Sequence, residues 1–154
     1  MCILAELDLD RVGCFEQAEE TMILHIEPVE QARPRATRYG RSIRVYDPPK
    51  VSKYKKELYQ LAKELYHGDR ADGAIEVEIS FYRPVQKSLS KKERARRLSG
   101  VHRPIVKPDL DNYVKSTLDA LNGVLWTDDA RIVDLHAHKY YSDDPHIEIT
   151  VTEL

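Results

Sequence analysis

Cysteine is scarce in this chain: Cys2 and Cys14 are the only two, both fall in the first twenty residues, and no C-x-x-C spacing joins them. With no secretory or transmembrane run, the expectation is a reduced, cytoplasmic protein without a membrane partner. A glycine-rich phosphate loop of the Walker type is missing too, so no nucleotide cofactor is expected. No internal repeat and no low-complexity tract occur, which leaves repeat architectures out.

What is present suits one domain. The 154 residues are 42% hydrophobic and 32% charged, enough for a core that buries about 70% of the unfolded surface. The net charge of −2 gives no bulk attraction to nucleic acid, so any such attraction must come from its uneven distribution. Residues 1–20 carry no pattern with an assignable role and are read as an N-terminal extension, with the domain over residues 21–154.

Thr21 to Glu27 and Ser42 to Tyr46 alternate as strands. Between them QARPRATRYGR reads as a basic loop. There Arg33, Arg35, Arg38 and Arg41, beside Tyr39, can contact backbone phosphates and stack on a base, the competing reading being a solvated loop. Asp47 before Pro48-Pro49 predicts a capped helix start, and Val51, Tyr54, Leu58, Leu61, Ala62 and Leu65 form the apolar stripe of that helix. Gly73 to Tyr82 is the clearest strand, with Ile75, Val77, Ile79 and Phe81 facing inward.

From Arg83 to Lys107, nine lysines and arginines meet a single acid, Glu93. This basic arm holds a short helix over Lys91 to Leu98, signalled by Ser90 and Glu93 at capping-box spacing. Arg94, Arg97, Arg103 and Lys107 are its candidate DNA contacts. Ile132 to Tyr141 and Ile147 to Val151 read as a C-terminal hairpin around Ser142-Asp143-Asp144-Pro145. His136 and His138 share one strand face without a third nitrogen or sulfur ligand, and are read as structural. The order of elements predicts an α+β domain in which helices cover one face of a mixed or antiparallel sheet.

The densest chemistry lies in KPDLDNYVKSTLDALNGVLWTDD, Lys107 to Asp129, which holds five carboxylates. Leu110, Val114, Thr117, Leu118 and Leu121 predict a helix from Leu110 to Asn122 with one core face, entered at Pro108 and left at Asn122-Gly123. Asp111, Lys115 and Asp119 form a second stripe. Lys115 stands roughly 6 Å along the axis from Asp111 and Asp119 roughly 12 Å, which ranks Asp119 below Asp109 and Asp111 as a partner in one metal site. Asp128 and Asp129 follow Trp126 in a turn, and only one of the two can aim at the helix mouth. Gathered carboxylates demand a compensating cation; hard oxygen ligands suit Mg²⁺ or Mn²⁺, and a nearby lysine suits a phosphate. The competing reading is a capping aspartate, solvent-facing charges and an Asp-Asp turn.

The segments KPDLDN, Lys115, DALNG and WTDDA, in this order and spacing, resemble the RusA-type Holliday junction resolvases. ARPRATRYG, VYDP and the YKKEL helix resemble the phage-associated branch of that family, so the likeness spans Met22 to Leu154. The resemblance implies an α+β fold and a Mg²⁺-dependent endodeoxyribonuclease (Mn²⁺ as substitute) acting on four-way DNA junctions, as a homodimer, in recombination and repair, with a prophage setting. Carried over by position, it makes Asp109, Asp111 and Asp129 catalytic metal ligands, Asp128 a supporting acid, and Lys115 the residue needed for cleavage. Two departures stand out: Pro108 where some members have a basic residue, and Arg131 where glutamine is frequent. The alternatives are a non-catalytic branched-DNA-binding module and a metal nuclease for other structured nucleic acids.

Overall fold

The computed structural model describes residues 19–154. Along the chain these form β1 (Glu19–Leu24), β2 (Arg35–Tyr39), β3 (Ser42–Tyr46), α1 (Pro49–Leu65), β4 (Ile75–Pro84), α2 (Lys91–Leu98), α3 (Leu110–Leu121), a 3-10 turn (Asp129–Arg131), β5 (Ile132–Ser142) and β6 (His146–Glu153). The extension read at residues 1–20 lies outside the described residues except for Glu19 and Glu20, which open β1.

Four strands make a mixed sheet in the order β1-β6-β4-β5, in which only β4 and β5 run parallel. Its alternation puts Ile75, Val77, Ile79 and Phe81 of β4 on one fully buried face, each contributing about 1.5–3 kcal/mol by burial. Ile147 and Ile149 of β6, Leu24 of β1, Tyr54, Leu58 and Ala62 of α1, and Tyr113, Ala120 and Leu121 of α3 close over them. The opposite face is polar: His136 lies 3.8 Å from Glu76 and His138 lies 3.6 Å from Glu78. Both long helices thus cover one face, as the α+β reading expects, and the two histidines pair with carboxylates of the neighbouring strand.

Four local expectations need correction. The C-terminal strands are not a hairpin, because β4 lies between them: Phe81 is opposite Lys139 on one side and Ile147 on the other. The strand with the most continuous apolar face takes the centre, while β5 leaves Val133 and Leu135 exposed at an edge. The basic loop is half strand, since β2 pairs with β3 from Arg35–Tyr46 to Tyr39–Ser42. Gly40, at φ 61°, takes the first position of the two-residue turn, where glycine is at ease. Asp47 does not cap α1: Pro48 holds that place, and the Asp47 carboxylate accepts instead from Gln31 Nε2 and Lys55 Nζ, both at 2.9 Å.

The buried face of α3 is also rotated from the expected one. Tyr113, Ser116, Thr117, Ala120 and Leu121 are buried, whereas Leu110, Val114 and Leu118 are half-buried. Polar groups are tolerated inside because each is bonded: Ser116 Oγ donates to the Val29 carbonyl at 2.5 Å, and Thr117 Oγ1 meets Tyr54 Oη at 2.8 Å.

Candidate active site and nucleic-acid interface

Turning α3 this way sets its half-buried side against β5 and leaves a groove of about 590 Å³ between them. Leu110, Val114, Leu118, Leu135 and Ala137 form the apolar walls, and Asp111, Lys115, Asp119 and Asp129 are the charged residues on them. The groove is brought together by three structural devices. Gly123, at φ 80°, follows the helix end at Asn122, the left-handed exit that glycine favours. The fully buried Trp126 then donates from Nε1 to Asp129 Oδ1 at 2.7 Å and holds that carboxylate at the groove. Lys139 of β5 donates to the carbonyls of Val106 and Pro108 at 3.0 and 2.9 Å, pinning the segment that leads into α3. Burial, and then the Arg83 charge, hold the Lys139 ammonium below the ordinary lysine range.

The sequence-derived site residues divide. Asp111, Lys115 and Asp129 line the groove, and Asp109 and Asp128 do not. Asp109 stands at the N-cap position but makes no capping bond; its carboxylate accepts from Lys107 Nζ at 2.8 Å. Asp128 caps the 3-10 turn by accepting from the Ala130 amide at 2.8 Å. The four carboxylates therefore do not close into one cluster, and among the described residues no three acidic, histidine or cysteine side chains make a metal-holding group. Asp119, ranked low by its distance along the helix, does line the groove, which runs lengthwise beside α3. It accepts from Lys115 Nζ at 2.8 Å, a hydrogen bond that holds the Lys115 ammonium above the ordinary lysine range. Its i, i+4 spacing to Lys115 was the available signal; for Trp126 and Asp129 it was the three-residue step across the turn.

A divalent ion nonetheless suits what is here. Asp111 has no ion pair or side-chain hydrogen bond among the described residues, while one oxygen of Asp129 is engaged by Trp126. Mg²⁺ typically takes one or two protein carboxylates and completes its shell with waters and substrate phosphate. Asp111 and Asp129, which line one groove, are the residues that could hold such an ion.

The candidate DNA contacts also divide. On the β2–β3 ribbon, Arg35, Thr37, Tyr39, Ser42, Arg44 and Tyr46 share one face by register, and every strand residue is exposed. The ion-paired arginines of the described residues are Arg94, Arg97 and Arg131, so Arg33, Arg35 and Arg38 keep their charge unmatched. The ribbon is rooted at the site. Gln31, before β2, donates from its amide to the Asn112 carbonyl in the first turn of α3 and from its side chain to Asp47, after β3, each at 2.9 Å. In the arm, Ser90 Oγ accepts from the Glu93 amide at 3.2 Å and caps α2. Arg94 pairs with Asp143, Arg97 pairs with Glu93, and the Arg103 guanidinium lies 4.1 Å from the centre of the Tyr140 ring. Lys107 reaches Asp109.

Comparison with known proteins spans both regions. The family described as Endodeoxyribonuclease RusA matches residues 25–152, which include ribbon, arm and groove. "Uncharacterized protein YqaN" of Bacillus subtilis (strain 168) is 38% identical over 131 residues, covering 83% of this chain and 92% of that protein. No helix among the described residues is long and apolar enough to cross a membrane. With a family match over residues 25–152, most of its length, the chain belongs to the RusA endodeoxyribonuclease family.

Proposed function

We propose that this protein is a Mg²⁺-dependent endodeoxyribonuclease that resolves four-way DNA junctions by paired symmetric nicks. The observation that carries the reading is the groove itself, with Asp111 and Lys115 of α3 and Asp129 of the 3-10 turn on its walls. Asp111 and Asp129 would hold the ion, with Asp109 and Asp128 as flanking acids. When bound, Mg²⁺ supplies Lewis-acid activation of water and screening of the phosphodiester charge. Trp126 keeps Asp129 from rotating away, and the Lys115 ammonium stabilises charge that develops on the phosphoryl oxygens. In-line attack by water with departure of the 3′ oxygen leaves a 5′ phosphate and a 3′ hydroxyl, ends that a ligase can rejoin. No covalent bond forms between a side chain and DNA in this scheme.

One groove gives one nick. A two-fold homodimer supplies the second, symmetric one. The ribbon, rooted beside the Asp111 turn, brings unmatched arginines and tyrosines to the same DNA strand region.

The test compares wild type with Asp111→Asn on a labelled fixed junction, with Mg²⁺, Mn²⁺ or EDTA, and follows binding in parallel. Paired, metal-dependent nicks are expected from wild type. The variant is expected to lose roughly a hundredfold or more in rate while still binding. Equal binding by both proteins with no cutting under any divalent metal would reduce the reading to a branched-DNA-binding module. Preferential cutting of flaps, single strands or RNA would replace the substrate.

A further inference from the structure

The proposed chemistry leaves one chain of ion pairs without a task. Lys55, on α1, does not line the groove, yet its Nζ donates to Asp47 Oδ2 at 2.9 Å and to Asp119 Oδ2 at 3.2 Å. The other oxygen of Asp119 accepts from Lys115 Nζ at 2.8 Å, and the other oxygen of Asp47 accepts from Gln31 Nε2 at 2.9 Å. A continuous line of hydrogen bonds therefore runs from Gln31 through Asp47, Lys55 and Asp119 to Lys115, alternating in charge from Asp47 onward. It crosses from α1 to α3 and ends in the groove.

Burial along this line is graded. The Lys115 side chain is 66% exposed, and that of Lys55 only 21%. An exposed lysine paired with an acid one helical turn away gains little when the carboxylate is free to turn, and more when the carboxylate is itself fixed. What can be held is the carboxylate. Asp119 gives one oxygen to each lysine, so the less exposed and less screened Lys55 fixes the plane of the group, and the plane fixes where Oδ1 meets Lys115. Asp47 is itself held from two sides, and these bonds, first that from Lys55, keep its carboxyl below the usual aspartate value.

We propose that Lys55 is a positioning residue for the nuclease groove: with Asp47 it orients the Asp119 carboxylate, and Asp119 sets the Lys115 ammonium beside Asp111 and Asp129. The proposal rests on the junction-cleavage reading above for the role of Lys115. The competing account is that the same ion pairs merely clip α1 to α3.

Single-turnover cleavage of a saturating four-way junction separates the two. The proteins are wild type, Lys55→Met, Lys55→Arg, Lys115→Met and the Lys55→Met/Lys115→Met double variant. Lys53→Met is the control, since Lys53 lies on the same helix, 76% exposed, and among the described residues pairs only with Glu57. Lys55→Met should slow cleavage roughly tenfold to a hundredfold with the junction Kd within about twofold of wild type, the scale expected when a reacting group is misplaced by about an ångström. Lys55→Arg should recover most of the rate, and Lys55→Met should add nothing once Lys115 is Met. A folded Lys55→Met protein that cuts like wild type, or an equal loss in both backgrounds, overturns the proposal.

The side-chain ammonium NMR signal of Lys115, assigned by its loss in Lys115→Met, gives a readout that needs no cleavage. It should move in Lys55→Met and stay in place in Lys53→Met. Should wild type cut no junction, the nuclease reading falls on that result; an unmoved Lys115 signal overturns the positioning role whatever the cleavage result. Asp47→Asn, one link further out, should give the same pattern at smaller size and serves if Lys55→Met does not fold.

Discussion

The β2–β3 ribbon keeps its positive charge open to solvent, whereas the arm from Arg83 to Lys107 turns much of its own inward. Between residues 33 and 46 there are five arginines and no acid, and the strands that carry most of them are exposed throughout. In the arm, Arg94 pairs with Asp143, and Arg97 donates to Glu93 at 3.1 Å with its guanidinium 4.9 Å from the centre of the Tyr141 ring. Arg83 donates to the Lys107 carbonyl at 2.8 Å, and Arg103 donates to the Lys139 carbonyl at 3.2 Å. Arg97 and Arg103 fasten the arm to β5, Arg94 fastens it to the turn that follows β5, and Arg83 ties the two ends of the arm together. Charge helps to bind a phosphate backbone only to the extent that the fold has not already neutralised it.

The largest effect that would break this contrast is on salt dependence. Replacing Arg35, Arg38 and Arg44 together with glutamine should lower the slope of log Kd against log salt by about 3 for a catalytically inactive protein on a four-way junction, about one unit per lost phosphate contact. The melting temperature should hardly change, since none of the three makes an ion pair among the described residues. Replacing Arg94 and Arg97 with glutamine should do the reverse. The slope should fall by less than about 1, while stability drops by about 1 kcal/mol, or ~3 °C in Tm, from the lost pairs and the Tyr141 contact. Fluorescence anisotropy across a salt series and thermal melts read both. If the two variants change places, the arm is the DNA surface and the ribbon a structural element.

The same contrast explains what could be read in advance. β4 was legible because one of its faces is wholly buried, so apolar and polar residues alternate without exception from Ile75 to Phe81. The cap of α2 was legible because Ser90 and Glu93 interact locally. Strand β2 was hidden by its own arginines, since an exposed ribbon buries nothing and shows no apolar alternation. The buried face of α3 was misjudged for the opposite reason: Ser116 is accepted in the core by a carbonyl at Val29, 87 residues away. Asp119 was undervalued because its second partner, Lys55, is 64 positions distant. The placement of β5 and β6 on either side of β4 depends on which strand has most to bury, a property of the whole sheet that no single segment announces.

The smallest effect concerns acid. Glu93 is the arm's only acid, and its carboxyl lies below the ordinary value of 4.5, first because of the hydrogen bond with His102 and then because of that with Arg97. A carboxyl with a depressed folded value adds stability that is present above the ordinary value and is lost as pH falls through the folded one. Melting of the wild type should therefore lose a small increment as the pH is lowered below 4.5, and Glu93→Gln should lack that increment while matching its own neutral-pH stability more closely. The ribbon, with no carboxyl between residues 33 and 46, should contribute nothing to this acid limb, so the ribbon glutamine variant should melt along the wild-type pH curve. A ribbon variant that altered the acid limb would mean that its arginines are matched by acids in the folded protein, and the distinction between open and internally satisfied charge would fail.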